Sequence, residues 1–235
     1  MKFGSITTGI IADGLVFNTD PANRACYPKT GTTATDTIGF INGTLTNGTT
    51  FSNDNEGIFG FDGTDDYIDF GDVLDFDRFN PFSIGCWFKR NRSGTSEFLV
   101  AKQESSGNYR GYTFLLPDDD NKLTIVFRHN AAGYGRLIVD GATAITDTNW
   151  HYGVVTYDGS SVTAGIKIYL DGLDNTGSVT GTLSSTTVNS IPLQIGARNN
   201  GNCFDGNIAS THIYNRELSS SEVLHNYNAL KSRFE

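Results

Sequence analysis

Apolar and polar side chains alternate along many short runs of the chain, which is the period of a β-strand. Residues 122–128 alternate cleanly, as in a strand with one face in water. Residues 82–89 carry apolar side chains on both faces, which indicates a central strand. Such runs recur from Leu15 to Tyr214 with turn residues between them. We therefore predict an all-β, two-sheet antiparallel sandwich of about a dozen or more strands.

Two stretches depart from this pattern. Residues 18–55 are dense in Thr, Asn and Gly and predict long loops with one or two short strands, which suit either a binding surface or a solvated connection. Near the end, Ser219 and Glu222 have the spacing of a capping box, which predicts a helix over about residues 220–231. The apolar positions that follow at helical spacing are Val223, Leu224, Tyr227 and Leu230.

Length and composition indicate one domain over residues 1–235. The chain has 27 Gly, and no Pro-rich, Ser-rich or charge-block linker divides it. The net charge of −9 argues against nucleic-acid binding, and the sequence holds no apolar run long enough to insert into a membrane. The three cysteines, at positions 26, 86 and 203, lack metal or disulfide spacing and are expected to be reduced and buried.

The N-terminal residues are not typical of a secretory signal, because Thr and Gly interrupt the apolar run after Lys2. We expect a protein made in a cytoplasm and left there, or released by lysis. Residues 1–11 look too irregular for a core strand. They are interpreted as an extended arm that docks the domain on a partner through main-chain hydrogen bonds.

Several motifs together resemble a known family. They comprise the Phe-Asp-Gly-x-x-Asp-Tyr run at residues 61–67 and the strand-like segments 150–159, 166–172, 195–197, 204–208 and 213–219. Taken in order, they resemble the laminin-G-like jelly rolls of the concanavalin A-like lectin and glucanase superfamily. The resemblance implies a jelly-roll sandwich and leaves the activity open, because this fold carries many functions.

Motifs in the early part of the chain indicate in which class of proteins this domain occurs. Residues 14–20, 25–28 and 42–48 resemble the opening of such domains in structural proteins of tailed phages. That resemblance implies a non-enzymatic virion surface protein of capsid, fibre or tail, with glycan-adhesion capacity. It would assemble with other virion proteins in the host cytoplasm, and it could form oligomers on the virion. The alternatives are a free carbohydrate-binding lectin and a glycoside hydrolase.

Catalytic patterns are missing from the sequence. The six Glu residues do not form the Glu-x-Asp-x-x-Glu spacing of the superfamily's retaining glucanases, although carboxylates from distant strands could still meet. No Ser has Gly on both sides at the spacing of a nucleophile elbow. His151, like the other three histidines, stands alone and is interpreted as a strand residue that either faces solvent or is satisfied by hydrogen bonds. We expect no enzymatic activity.

A structural calcium ion is the one cofactor that the resemblance implies. Its ligands would be the carboxylates of Asp62 and Asp66 with the carbonyl of Gly63, and a turn offers Ca²⁺ such hard oxygens at close quarters. Related sequences carry an acidic pair after Asp-Gly-x-Ile, and the corresponding residues 207–210 of this chain, Asn-Ile-Ala-Ser, contain no acid. In the alternative interpretation, Asp62 and Asp66 only bond turn amides.

Glycan binding needs aromatic rings on which sugars stack and planar polar groups that bond hydroxyls. Residues 105–110 and 198–202 form polar loops that could border such a site, although ordinary loops share their composition. The predicted glycan-binding residues are Tyr109, Arg110, Tyr112, Asn199 and Asn200, with Tyr134, Arg136 and Asn202 as further outward candidates.

Overall fold

Short strands rich in β-branched and aromatic residues make up most of the regular structure in the computed structural model, which describes residues 9–130 and 135–235. Gly, Asn and Asp occupy the turns between them, often with positive φ. The seventeen strands among these residues are β1 (Leu15–Thr19), β2 (Thr33–Thr35), β3 (Asn42–Thr46), β4 (Thr50–Ser52), β5 (Ile58–Asp62), β6 (Tyr67–Asp69), β7 (Phe82–Arg90), β8 (Glu97–Gln103), β9 (Gly111–Leu116), β10 (Lys122–Arg128), β11 (Arg136–Ala144), β12 (His151–Tyr157), β13 (Ile166–Leu170), β14 (Leu173–Asp174), β15 (Thr176–Gly181), β16 (Gln194–Ile195) and β17 (Asp205–Tyr214).

These strands form two sheets. The first has eight strands in the order β14-β13-β12-β7-β17-β5-β4, and β1 pairs with the C-terminal half of β17. The second has nine strands in the order β15-β11-β10-β9-β8-β16-β6-β3-β2. Neighbouring strands are antiparallel in both sheets. The predicted two-sheet antiparallel sandwich is confirmed.

The main core lies between the two sheets, and β7 shows how the sequence builds it. Phe82, Ile84, Cys86 and Phe88 all point into this core, whereas Trp87 points to the outer face of the first sheet. Both faces of the strand are therefore buried, as its pattern of apolar residues predicts.

The described part of the chain contains one α-helix, α1 (Ser220–Leu230), which covers the outer face of the first sheet. The predicted capping box is present, since the Ser219 hydroxyl accepts a hydrogen bond from the Glu222 amide and the Glu222 carboxylate accepts one from the Ser219 amide. Val223 packs on the sheet as expected, but Leu224 is 40% exposed. A 3₁₀ turn at Lys231–Arg233 follows the helix. No helix among the described residues is long and apolar enough to cross a membrane.

The segment 18–55 is more ordered than its composition predicts, because it contributes three short strands, β2 to β4. Asp36 is fully buried and organises the turn before β3. Its carboxylate accepts hydrogen bonds from the amides of Asn18 at 2.6 Å and Gly39 at 2.6 Å. A buried carboxylate with amide partners fixes a loop in one conformation.

The three cysteines are unpaired and buried, which confirms the prediction. Burial raises the pKa of the Cys26 thiol to about 12 and that of Cys203 to about 11. These thiols are therefore protonated at neutral pH and act as small apolar side chains.

Part of the predicted docking arm, residues 1–11, is bound to the domain itself. The Ile11 amide donates to the Asn226 side chain at 2.8 Å, and the Ile11 carbonyl accepts from the Tyr214 hydroxyl at 2.9 Å. Residues 1–8 lie outside the described residues.

Candidate functional site

Three carboxylates meet in the hairpin between β5 and β6, which we call the acidic hairpin. Asp62, Asp65 and Asp66 each place an oxygen within 4.8 Å of the others. Asp66 is only 3% exposed, and one of its oxygens accepts a hydrogen bond from the Asp62 amide at 3.0 Å. Its other oxygen, Oδ1, is buried without a hydrogen-bond partner among the described residues. An unpartnered buried carboxylate oxygen is costly unless a cation satisfies it.

The electrostatics of the hairpin also favour a cation. Burial raises the pKa of Asp66, and the nearby charges of Asp62 and Asp65 raise it further, against the opposing hydrogen bond from the Asp62 amide. A divalent cation would remove this repulsion, and Ca²⁺ prefers carboxylate and carbonyl oxygens. The acidic hairpin therefore has suitable donor chemistry for calcium.

An open cleft of about 440 Å³ lies beside the acidic hairpin. Asn47 and Gly48 line one part of this cleft, and Asn207 of β17 lines another. Gly48 has φ of 136°, and a Cβ there would lie 3.2 Å from Asp66 Oδ1. The glycine thus lets the chain approach the buried carboxylate closely.

The structure changes one predicted ligand. The Gly63 carbonyl accepts a hydrogen bond from the Arg92 guanidinium at 3.1 Å. A positive charge at that oxygen opposes a cation, so we replace Gly63 with Asp65 in the candidate set. Sequence reasoning missed Asp65 because it lies outside the fixed positions of the motif, although its place beside Asp66 in an acidic turn was a usable signal.

The two polar loops predicted to border a glycan site do come together. The Asn199 amide donates to the Ser105 hydroxyl at 2.7 Å, and Arg110 forms an ion pair with Glu104 at 2.9 Å. Between them lies an open cleft of about 390 Å³, which we call the loop cleft. Its lining includes Arg110, Asn199, Asn108 and the backbone around Gly107. The loop cleft therefore presents planar amide and guanidinium groups to solvent.

Two other predicted glycan residues lie next to the loop cleft. Asn200 exchanges hydrogen bonds with Gln194, whose amide donates to the Asn200 side chain at 2.6 Å. Tyr109 has φ of 55° at the loop tip, and its ring centroid lies 5.4 Å from the Arg128 guanidinium. Asn200 therefore supports the loop at residues 198–202, whereas the Tyr109 ring lies against Arg128 on the outer face of the second sheet.

The prediction that Tyr112 faces outward requires correction. Its side chain is 1% exposed and packs against Phe76 and Phe82, while its hydroxyl donates to the Leu74 carbonyl at 3.0 Å. Tyr112 is a core residue because every second residue of β9, starting at Tyr112, points into the core. Tyr134 lies outside the described residues.

His151 is hydrogen bonded on both sides of its ring, which is one of the two alternatives that the sequence interpretation leaves open. Its Nδ1 lies 2.8 Å from Asp171 and its Nε2 lies 3.0 Å from Asp147. Burial lowers the pKa of His151, but the hydrogen bonds and charges of Asp171 and Asp147 together raise it above its ordinary value. This arrangement stabilises the imidazolium.

The pKa of His151 predicts a pH-dependent contribution to stability. A raised folded-state pKa stabilises below the unfolded pKa of about 6.5, and this contribution is lost as pH rises through the folded pKa. His151→Gln should therefore lower the melting temperature by about 2–4 °C more at about pH 5.5 than at about pH 8. The control is His225→Gln, and melting curves at the two pH values decide. An equal loss at both would contradict the prediction.

The family can now be stated. The sequence profile of the concanavalin A-like lectin/glucanases superfamily, laminin G type, matches residues 62–224, and the chain belongs to this family. The match contains the acidic hairpin and the loop cleft. No curated protein matches the chain.

Solved structures show the same fold at low sequence identity. The binding domain of Paraclostridial Mosquitocidal Protein 1 is 18% identical with a TM-score of 0.69, and the alignment covers 92% of this chain and 52% of that one. Domain 4 of AbnA, an extracellular arabinanase from Geobacillus stearothermophilus solved with arabinotriose, is 16% identical with a TM-score of 0.68, covering 91% and 98%. Trypanosoma rangeli sialidase is 14% identical with a TM-score of 0.67, covering 96% and 34%. This chain thus spans about half of the toxin domain and a third of the sialidase.

Proposed function

We propose that this chain is a non-enzymatic carbohydrate-binding domain that holds a glycan in the loop cleft. The observation that carries the proposal is the meeting of the two polar loops, which places Arg110 and Asn199 on one open surface. Such amide and guanidinium groups bond sugar hydroxyls. The fold relatives support it, since one was solved with arabinotriose and another is a toxin binding domain.

The placement of the glutamates favours binding over hydrolysis. A glycosidase needs two carboxylates facing each other across the scissile bond. Glu97 is fully buried in an ion pair with Arg90, and Glu104 pairs with Arg110 at the loop cleft. Both carboxylates therefore have arginine partners, as expected for residues that hold structure in place.

The finer proposal is a domain displayed on a virion, as a decoration of capsid, fibre or tail. It rests on the resemblance of residues 14–20, 25–28 and 42–48 to phage structural proteins. Probing intact capsid and tail preparations for this chain tests it. Absence of the chain from purified particles would favour the free lectin.

We expect at least one neutral oligosaccharide from a panel of arabinan, glucan and galactan fragments to bind the protein. Asn199→Ala should weaken that binding by about tenfold, because a lost hydrogen bond to a sugar hydroxyl costs on the order of 1 kcal/mol or more. Isothermal titration gives the affinities. Asn149→Ala is the control, since it removes the same amide from an exposed position that does not line the loop cleft.

Two results would contradict the carbohydrate proposal. One is a panel in which no glycan binds the parent. The other is an Asn149→Ala variant that folds normally and loses as much affinity as Asn199→Ala, because the binding would then not depend on the loop cleft.

We also propose that the acidic hairpin binds a structural calcium ion. Asp62, Asp65 and Asp66 would hold it, and the unpartnered Oδ1 of Asp66 is the observation that supports the ion. The ion would supply positive charge that fixes the hairpin against β17. It takes no part in chemistry on a ligand.

Calcium should therefore raise the melting temperature of the parent relative to chelator. An ion at about 100 times its Kd stabilises the native state by about 2.7 kcal/mol. Asp66→Asn should abolish this shift, whereas Asp119→Asn, at an exposed hairpin tip, should keep it. Identical melting of the parent in calcium and in chelator would reject the site.

A further inference from the structure

Three arginines gather on the outer face of the second sheet, and we call them the arginine patch: Arg128, Arg136 and Arg198. Arg128 on β10 and Arg136 on β11 are direct cross-strand partners. The same row continues through Gly111, which has no side chain, to Gln103 on β8. Arg198 reaches the row from the neighbouring loop, and its guanidinium donates to the side-chain Oε1 of Gln103 at 3.4 Å.

This arrangement is unfavourable for folding alone. Like charges placed directly opposite each other on neighbouring strands destabilise a sheet. No carboxylate of the described residues forms an ion pair with any of the three arginines. The cluster is notable in a chain with 26 acidic and 17 basic residues, where acids are the commoner neighbours.

Several hydrogen-bond donors in the arginine patch also lack acceptors among the described residues. The Nε atoms of Arg128, Arg136 and Arg198 are buried without hydrogen-bond partners among the described residues, and so is the amide nitrogen of Gln103. Burial lowers the pKa of Arg128, and the charges of Arg136 and Arg198 lower it further. Four unsatisfied donors and three mutually repelling cations therefore face one region.

Apolar surface lies next to these donors. Phe98, Leu115 and Val126 form a small cluster on the same outer face, and the Arg198 guanidinium lies 4.8 Å from the Phe98 ring centroid. The Tyr109 ring lies against the Arg128 guanidinium, and its chain neighbours Asn108 and Arg110 line the loop cleft. A ligand there would meet a charged end and an apolar wall.

We propose that the arginine patch binds the carboxylate or sulfate group of an acidic saccharide whose neutral part occupies the adjoining loop cleft. The planar guanidinium fork matches both oxyanions with paired N–H donors. The saccharide part of this proposal rests on the proposed carbohydrate function. The anion part rests on the patch alone.

Matched ligand pairs test the patch and separate the two anions. Trigalacturonic acid is compared with its methyl ester for the carboxylate, and 3′-sulfolactose with lactose for the sulfate. At least one acidic ligand should bind about tenfold or more tightly than its neutral partner, because the guanidinium N–H groups would donate charge-assisted hydrogen bonds to the anion. Arg128→Gln should remove this preference, and Arg24→Gln, which removes an exposed charge elsewhere, should keep it.

Stability gives a second readout. Because Arg128 opposes Arg136, unliganded Arg128→Gln should melt at or above the temperature of the parent. Inorganic sulfate at constant ionic strength should stabilise the parent and not this variant. A variant that melts well below the parent and keeps the preference for the acidic ligand would overturn the patch, since Arg128 would then be structural.

The two proposals fail separately. Equal binding of acidic and neutral ligands by the parent overturns the arginine patch and leaves the carbohydrate function standing. Stabilisation by sulfate that depends on Arg128, without binding of any saccharide, keeps the anion site and overturns the saccharide. No response to sulfate and no saccharide bound overturns both.

Discussion

Glu97→Gln is expected to lower the free energy of unfolding by about 3–5 kcal/mol, because breaking a buried ion pair leaves the partner charge without compensation. Arg90 is 1% exposed, and its guanidinium donates to Glu97 at 2.7 and 3.0 Å. For a chain of this length the loss corresponds to about 6–20 °C in melting temperature. Urea denaturation at neutral pH measures it.

The matched control is Glu104→Gln, which removes the same charge from a half-exposed pair with Arg110. Exposed pairs contribute little, so this variant should lose less than about 1 kcal/mol. Equal losses in the two variants would show that burial of the Arg90 pair has no special effect on stability.

The effect of Glu97 should extend to the acidic hairpin. Its carboxylate accepts a hydrogen bond from the Asp205 amide at 3.1 Å and lies 3.5 Å from Arg92, which in turn bonds the Gly63 carbonyl. The buried pair thus supports the hairpin through two links. If calcium binds, Glu97→Gln should also reduce the shift that calcium produces.

Trp87→Ala is the second change with a large expected effect, a loss of about 3–5 kcal/mol. Trp87 is 2% exposed, and its ring stacks on Phe234 at 4.2 Å, on Tyr152 at 5.3 Å and on Tyr227 at 5.5 Å between centroids. Removing it opens a cavity between the first sheet and α1. Near-ultraviolet circular dichroism should lose the aromatic signal, and urea denaturation gives the free energy.

Trp150→Ala provides the comparison, since Trp150 is half-buried and contacts Phe234 at the rim of the same cluster. Trp150→Ala should lower the free energy of unfolding by about half as much or less, because Trp150 buries less apolar area than Trp87. If both variants lose the same free energy, α1 is not held by the stacked aromatic centre.

Local patterns in the sequence were sufficient for most of the fold. The capping residues Ser219 and Glu222 determine where α1 begins, and the alternation in β7 separates Trp87 from its core-facing neighbours. The same alternation in β9 would have placed Tyr112 with Phe114 in the core. The prediction that Tyr112 faces outward was wrong because it used the polar composition of the preceding loop instead of the strand pattern.

The candidate sites depended more on long-range register. The approach of Asn199 to Ser105 joins residues far apart in the chain, and the opposition of Arg128 and Arg136 requires the pairing of β10 with β11. No local motif encodes these distances. The acidic hairpin was predictable because its carboxylates lie within five residues of each other.

Both described ends of the chain are fixed on the same face of the sandwich. Ile11 is bonded to α1 and Tyr214, and at the other end Arg233 pairs with Asp20 while Phe234 stacks on Trp87. A tether attached at Glu235, such as a biotin tag on a sensor chip, would therefore hold the first sheet towards the support. The outer face of the second sheet would then be presented to the solution, which makes end-tethered protein the suitable geometry for measuring glycan capture.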